Sequence, residues 1–204
     1  MQVIDRFDAS AFNRALASMF KARKQIFVDL LGWDVPVIDG RYEIDEFDTE
    51  HATYLVLSDP DGEHLASARL LPTDRPHLLD THFAHLCESE APAGPDVLEI
   101  TRFCLSRNQS AADRMISRKR LVSALVDHAL SRGITTYVGV AEMGWLQQIL
   151  AFGWRCRPLG LPVMDGGKML GALSIDIDAE TPSLLMASGT YVGDQVVLAD
   201  PMLA

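Results

Sequence analysis

Several ingredients that would steer this chain toward a familiar class are missing. Cysteine is scarce: Cys87, Cys104 and Cys156 are odd in number, widely spaced and free of any CxxC pair. That pattern reads as reduced thiols, not as a disulfide framework or a zinc site. His82, His85 and Cys87 lie close together without a matching second cluster, so no metal is expected. No stretch approaches the roughly 20 apolar residues needed to span a bilayer. The N-terminus MQVIDRFDAS carries acids where a signal peptide carries bases, and no membrane partner and a cytoplasmic location are expected. GxGxxG, Walker A, HExxH and GxSxG are all absent, which removes the usual marks of dinucleotide, phosphate-loop, zinc-protease and serine-hydrolase chemistry. Repeats, low-complexity tracts and linkers are absent as well.

What is present describes an ordinary globular protein. The 204 residues suit one well-packed domain over 1–204, with 48% hydrophobic and 23% charged residues. A formal net charge of −10 argues against a nucleic-acid partner. The charge is uneven: seven acids and one base, Arg41, lie between Asp34 and Glu50, whereas seven bases and two acids lie between Arg102 and Arg132. An acidic chain with one basic segment is suited to an acidic partner or a phosphate.

Apolar residues recur at helical spacing from Ala9 to about Leu31 (Phe12, Leu16, Met19, Phe20, Phe27, Leu30), with Asp8 or Ser10 as the cap and Gly32 as the stop. Trp33 to Glu50 lacks periodicity and reads as a long functional loop. Thr53–Leu57 and His64–Leu71, joined by Asp59-Pro60-Asp61-Gly62, predict a hairpin. A short helix is expected near Thr81–Cys87, a strand at Val97–Leu105, and a helix at Ala111–Ser131 with an apolar face (Met115, Leu121, Leu125, Val126, Leu130) ending at Gly133. A strand at Ile134–Val140, a helix at Trp145–Phe152 and a strand at Gly171–Ile177 follow. The sum is one α/β domain on a mixed twisted sheet flanked by helices, with Val97–Leu105 and Ile134–Val140 parallel.

Three groups of residues carry chemistry. Arg23 and Phe27, four apart, share a helix face, and Trp33 is placed to fold back beside them. A guanidinium beside two aromatic walls suits a carboxylate and an adenine; a snorkelling arginine beside core aromatics is the plainer alternative. Asp45 and Asp48 suit an amine or a sulfonium, or else a solvated acidic loop, which is what Glu43, Glu46 and Glu50 are expected to be. Glu99 and Arg102, three apart on a strand, point opposite ways unless the strand bulges or twists near Ile100–Thr101; the alternative is a cross-strand ion pair. Arg69, a cation inside an apolar strand, needs an acid such as Asp45, Asp48 or Glu99.

The order Arg23-x3-Phe27-x5-Trp33, then Asp45-x2-Asp48, Arg69 and Glu99-x2-Arg102 closely resembles the acyl-homoserine-lactone synthases, the autoinducer synthases of bacterial quorum sensing. WDVPVIDGRYEIDEFD, ASARLLPT and LEITRFCLS look like that family's hallmark segments. The resemblance runs from about residue 20 to 155 and includes all eight hallmark residues. It implies a fold related to the GCN5-type N-acetyltransferases. It also implies two substrates, S-adenosylmethionine and a fatty acyl thioester on acyl carrier protein or coenzyme A. The amine would attack the thioester to form an amide, and the carboxylate would then close the lactone and expel methylthioadenosine. No cofactor is implied, since S-adenosylmethionine is consumed.

On this resemblance, Arg23, Phe27 and Trp33 form the adenosylmethionine pocket, and Asp45, Asp48 and Arg69 organise it through charge pairs. Glu99 is the candidate general base, and Arg102 fixes Glu99 or the substrate carboxylate. Backbone N–H groups near Phe103 and Cys104 stabilise the oxyanion. Ala141, Met143, Leu146 and Leu150 line the acyl chain. Arg107, Arg114, Arg118, Lys119 and Arg120 dock acidic acyl carrier protein, or are simply a solvated helix face. Members using 3-oxo chains resemble one another in carrying threonine just after the second parallel strand; Ala141 takes that place, so unsubstituted or otherwise modified chains are expected. Two rivals remain open. One is an acetyltransferase-like N-acyltransferase without lactonisation, although SRNQSAADRM lacks the glycines of a coenzyme A pyrophosphate loop. The other is a non-catalytic S-adenosylmethionine-binding module, against which the intact Glu99 argues.

Overall fold

A computed structural model of the chain describes residues 1–5, 14–193 and 197–198. In chain order its strands are β1 (Gln2–Asp5), β2 (Val37–Ile38), β3 (Tyr42–Glu43), β4 (Thr53–Ser58), β5 (His64–Pro72), β6 (Val97–Leu105), β7 (Thr136–Glu142), β8 (Arg155–Pro158), β9 (Val163–Asp165), β10 (Lys168–Asp176) and β11 (Val197–Leu198). The helices are α1 (Arg14–Arg23), α2 (Leu78–Thr81), α3 (Ala111–Arg132), α4 (Met143–Leu150) and α5 (Thr181–Ala187), with a π-helical turn at Lys24–Leu30 and a 3-10 turn at Ala84–Leu86. The Asp8 or Ser10 cap and Phe12, expected at the start of the first helix, lie outside the described residues.

The backbone forms two compact units. One comprises Met1–Leu70 and Arg102–Ala124 with β11; the other comprises Leu71–Thr101 and Leu125–Gly193. In the first, β11 runs parallel to β1, β1 antiparallel to β4, and β4 antiparallel to β5. The β4–β5 hairpin turns at the expected Asp-Pro-Asp-Gly, where Gly62 takes φ 81° and its N–H donates to the Asp59 carbonyl at 3.0 Å. In the second unit β6 pairs parallel with β7 through Val97↔Thr136, Leu98↔Tyr137 and Glu99↔Val138. There β10 lies antiparallel to β7, β8 and β9. Both units thus carry mixed pairing with helices, as the α/β expectation requires.

The departures have local causes. The expected strand at Ile134–Val140 starts two residues later because the Ile134 and Thr135 N–H groups serve the Ala129 and Asp96 carbonyls. Helix α4 also begins two residues before Trp145. The helix expected at Thr81–Cys87 divides into α2, which starts at Leu78, and the 3-10 turn at Ala84–Leu86. The supposed loop from Trp33 to Glu50 contains the small β2–β3 hairpin. Met115 and Leu130 on α3 are exposed. Met115 stands six residues before the buried Leu121, about 120° away round the helix. The α3 start is capped: Ser110 Oγ accepts the Asp113 N–H at 3.2 Å and donates to Asp113 Oδ2 at 2.6 Å.

Strand β5 holds a buried histidine. His64 lies 2.8 Å from Ser67 Oγ through Nε2, its backbone N–H donates to Ser18 Oγ at 2.9 Å, and its Nδ1 has no hydrogen-bond partner. Burial pushes its pKa down to about 4 from 6.5. The unfolded chain therefore binds the extra proton first, and stability declines as pH falls from 6.5 toward 4. His64→Gln is expected to remove about 2 kcal/mol of the loss between pH 7 and pH 5. Urea unfolding at both pH values measures it; equal losses in wild type and variant would refute the assignment.

Candidate active site

The centre of the first unit is a closed ring of six buried charges. Arg23, at the end of α1, donates from Nη1 and Nη2 to the two Asp48 oxygens, each at 2.9 Å, and from Nε to Glu43 at 2.5 Å. Glu43 Oε1 accepts Arg102 Nε at 3.1 Å, and Arg102 Nη2 reaches Asp45 Oδ2 at 2.6 Å. Asp45 takes both terminal nitrogens of Arg69, at 2.5 and 3.1 Å. Arg69 Nη1 stands 2.9 Å from Asp48 Oδ1, which closes the circuit. Three guanidiniums meet three carboxylates in alternating order, so the six sum to zero charge.

Pairing offsets the cost of burial at Arg23 and Asp48. Desolvation opposes the charge on Arg23, but Asp48 and Glu43 outweigh it and raise the pKa. Burial also works against the Asp48 carboxylate, yet Arg23 and Arg69 hold it well below the usual range. Burial, reinforced by Asp48, pushes Tyr54 up, and its hydroxyl donates to Asp48 Oδ1 at 2.7 Å. The acidic segment is also tied to itself: the Asp45 N–H donates to Asp48 Oδ2 and the Phe47 N–H to Asp45 Oδ1, both at 2.9 Å.

Glu43 overturns one expectation. It is not a solvated loop acid but is fully buried, whereas Glu46 and Glu50 are exposed. The signal was available in charge counting. Three arginines placed at a buried site need three acids, and Asp45 with Asp48 supplies two. In an extended segment Glu43 shares a face with Asp45, two residues on. Tyr54 had no comparable signal.

The aromatic pair adjoins this ring. Helix α1 passes at Lys24 into the π-helical turn, which ends with Gly32 at φ 65°. The Trp33 N–H then donates to the Phe27 carbonyl at 2.8 Å. That bond folds the chain back and lays the Trp33 ring against Phe27, with centroids 4.6 Å apart and planes 22° apart. The Arg102 guanidinium carbon stands 5.5 Å from the Phe27 ring and 5.6 Å from the Trp33 ring, within cation–π range.

Arg102 reaches these groups because β6 is irregular. Its residues alternate buried and half-buried from Val97 to Thr101, but Thr101 and Arg102 are both buried and the alternation resumes out of phase. Arg102 has φ 50°, a left-handed conformation that a non-glycine residue adopts only when its surroundings hold it there. The break falls at Thr101–Arg102, one residue beyond the expected place.

Glu99 belongs to the second unit. It is fully buried, and its two carboxylate oxygens accept the Leu78 N–H at 2.8 Å and the Leu79 N–H at 3.0 Å, at the start of α2. Cys104 is buried with Phe27 and Ala22, which pushes its thiol up to about 12, and Phe103 is half-buried. Ala141 lies inside β7, paired with Gly171 of β10, and is buried. Leu146 is buried over Gly171, where an added Cβ would stand 2.8 Å from its Cδ2. Met143 is half-buried and Leu150 is exposed. On α3, Arg114 is exposed while Arg118, Lys119 and Arg120 are half-buried; Arg107 precedes the helix and is exposed. Among the described residues no cluster of three or more His, Cys, Asp or Glu could hold a metal, and no helix is long and apolar enough to cross a membrane.

The chain has similar known proteins. The autoinducer synthase family matches residues 9–185. An acyl-homoserine-lactone synthase of Ralstonia nicotianae is 37% identical over 182 residues, covering 86% of this chain and 89% of that protein. The coenzyme A-dependent acyl-homoserine lactone synthase BjaI, solved with SAM and isopentyl-CoA, superposes with a TM-score of 0.85 at 26% identity, covering 99% of this chain and 94% of BjaI. A putative N-acetyltransferase from Lactobacillus plantarum shares the fold alone, at TM-score 0.56 and 21% identity over 86% of this chain and 97% of that one. The chain belongs to the autoinducer synthase family and is an acyltransferase that makes acyl-homoserine lactones.

Removing one member of the ring strands a buried charge. Glu43→Gln is expected to cost about 3–5 kcal/mol in chemical denaturation, whereas the exposed Glu46→Gln changes stability by less than about 0.5 kcal/mol. Similar small losses in both variants would show that Glu43 is not part of the frame.

Proposed function

We propose that the chain transfers a fatty acyl group from a thioester to the amine of S-adenosylmethionine and then closes the homoserine lactone with release of methylthioadenosine. One observation carries the assignment of residues. Arg23, Glu43, Arg102, Asp45, Arg69 and Asp48 form a single closed ring, and Arg102 joins that ring to the Phe27–Trp33 stack. A charge frame beside a stacked aromatic pair, Phe27 buried and Trp33 half-buried, suits a ligand that is both a zwitterionic amino acid and a sulfonium-linked adenine. In this reading Arg23, Phe27 and Trp33 bind the adenosylmethionine, and Asp45, Asp48 and Arg69 hold the pocket in shape. Arg102 fixes the substrate carboxylate, and Glu99 serves the amine. Phe103 and Cys104 lend backbone N–H groups to the oxyanion, and Ala141, Met143 and Leu146, with Leu150 at the rim, shape the acyl end.

The acyl donor is a thioester of acyl carrier protein or of coenzyme A; BjaI, solved with isopentyl-CoA, is described as coenzyme A-dependent. Arg114, Arg118, Lys119 and Arg120 supply positive charge on α3 for either donor. We assign no cofactor, because adenosylmethionine is consumed in the scheme. The two units work as one synthase domain, a reading supported by the continuous passage of β6 and α3 through both. A cytoplasmic setting is supported by three unpaired cysteines.

Purified protein supplied with S-adenosylmethionine and a series of acyl thioesters is expected to release free thiol, methylthioadenosine and lactone in equal amounts. Mass spectrometry of the lactones gives chain length, and Ala141 leads us to expect chains without a 3-oxo group. Thiol release without methylthioadenosine would identify a plain acyltransferase, and binding without turnover a sensor.

A further inference from the structure

Every amide formed from an ammonium substrate leaves a proton that some group must accept. Glu99 is poorly disposed to take it. Each of its oxygens already accepts a backbone N–H, from Leu78 and Leu79. Such bonds engage both oxygens and hold the carboxylate in place. They suit Glu99 to hold a cation in place.

The residue immediately before those two donors is His77, which is 4% exposed. Its Nδ1 lies 2.9 Å from the Arg75 carbonyl oxygen. A carbonyl oxygen can only accept, so Nδ1 carries the hydrogen and the neutral ring presents a bare lone pair at Nε2. That Nε2 is buried without a hydrogen-bond partner, a costly state that calls for a use. The His77 carbonyl accepts both the Thr81 hydroxyl at 2.6 Å and the Thr81 N–H at 3.0 Å, which anchors the residue at the start of α2. An imidazole is by nature a stronger base than a carboxylate. Two other histidines, His64 and His128, also carry an orphaned ring nitrogen among the described residues, but His77 alone adjoins the donors that hold Glu99.

We propose that His77 Nε2 accepts the amine proton in amide formation, with the Glu99 carboxylate stabilising the imidazolium that results. The inference rests on the reading of Glu99 as serving the substrate amine. One proton passes from the ammonium to Nε2, and the freed nitrogen lone pair forms the C–N bond at the thioester carbonyl. Collapse of the tetrahedral adduct breaks the C–S bond. The departing thiolate takes the second N–H proton as free thiol, and His77 returns its own to solvent.

The test uses the full chain with S-adenosylmethionine and an acyl-coenzyme A thioester, reading thiol release. His77→Asn keeps a side-chain N–H near the Nδ1 position but has no basic nitrogen; His77→Gln places a non-basic amide near the Nε2 position. Each folded variant is expected to keep KM for S-adenosylmethionine within about threefold and to lose about 100-fold in kcat at pH 7. The deficit shrinks toward pH 9, where solution supplies the free amine. A folded variant as fast as wild type, or a deficit that stays constant to pH 9, overturns the proposal. Nitrogen-15 NMR of the wild-type histidines decides the matter should neither variant fold: a hydrogen on Nε2 of neutral His77 overturns it, and one on Nδ1 supports it. An inactive wild type on every acyl donor would instead sink the synthase reading itself.

Discussion

The alternating ring of Arg23, Glu43, Arg102, Asp45, Arg69 and Asp48 is the constraint on which the rest of the first unit depends. Buried ions are tolerated only when neutralised and hydrogen-bonded on every side, and here each ion touches two of opposite sign. To meet, its members must arrive from α1, the β2–β3 hairpin and the segment after it, β5 and β6. The ring therefore specifies where four separate stretches of chain end up. A buried ion network of this kind is a poor source of stability and a strong source of uniqueness.

The left-handed Arg102 shows what that uniqueness demands. A regular strand would turn its side chain away from the acids, and the break in alternation at Thr101–Arg102 reverses it. The backbone strain is offset by Arg102's bonds to Glu43 and Asp45 and by its position over two aromatic rings. A second local irregularity, the π-helical turn, carries Phe27. In both places a deviation from regular geometry aims a side chain that regular geometry would misdirect.

Much of this was legible in the sequence because its causes are local. Alternation and turn chemistry mark β4, β5 and β6, and the three-residue spacing of Glu99 and Arg102 calls for an irregular strand if both line one site. What escaped depended on partners distant in sequence. Glu43 looked like its exposed neighbours Glu46 and Glu50, because burial by Arg23 and Arg102 leaves no trace in the segment itself. The short strands β1, β8 and β9 have too few residues to display a period. Helix α2 is a single turn whose first N–H groups are satisfied by a carboxylate twenty residues away, so no local cap announced it. The candidate site residues stood out through their order, not through any one of them: taken singly, the groups also read as a snorkelling arginine beside core aromatics, a solvated acidic loop and a cross-strand ion pair.

A closed circuit of opposite charges also has a consequence for how such a chain can change over generations. Replacing any one of the six leaves an odd charge among five, and no neighbour can drift to correct it without first passing through that state. Neutral wandering, which loosens most surface positions one at a time, is therefore blocked here unless two steps occur together. Lysine in place of arginine is blocked as well, since a point charge cannot span the two carboxylates that each guanidinium bridges. The circuit works as a ratchet on the sequence, and so a handful of scattered letters could point to one chemistry.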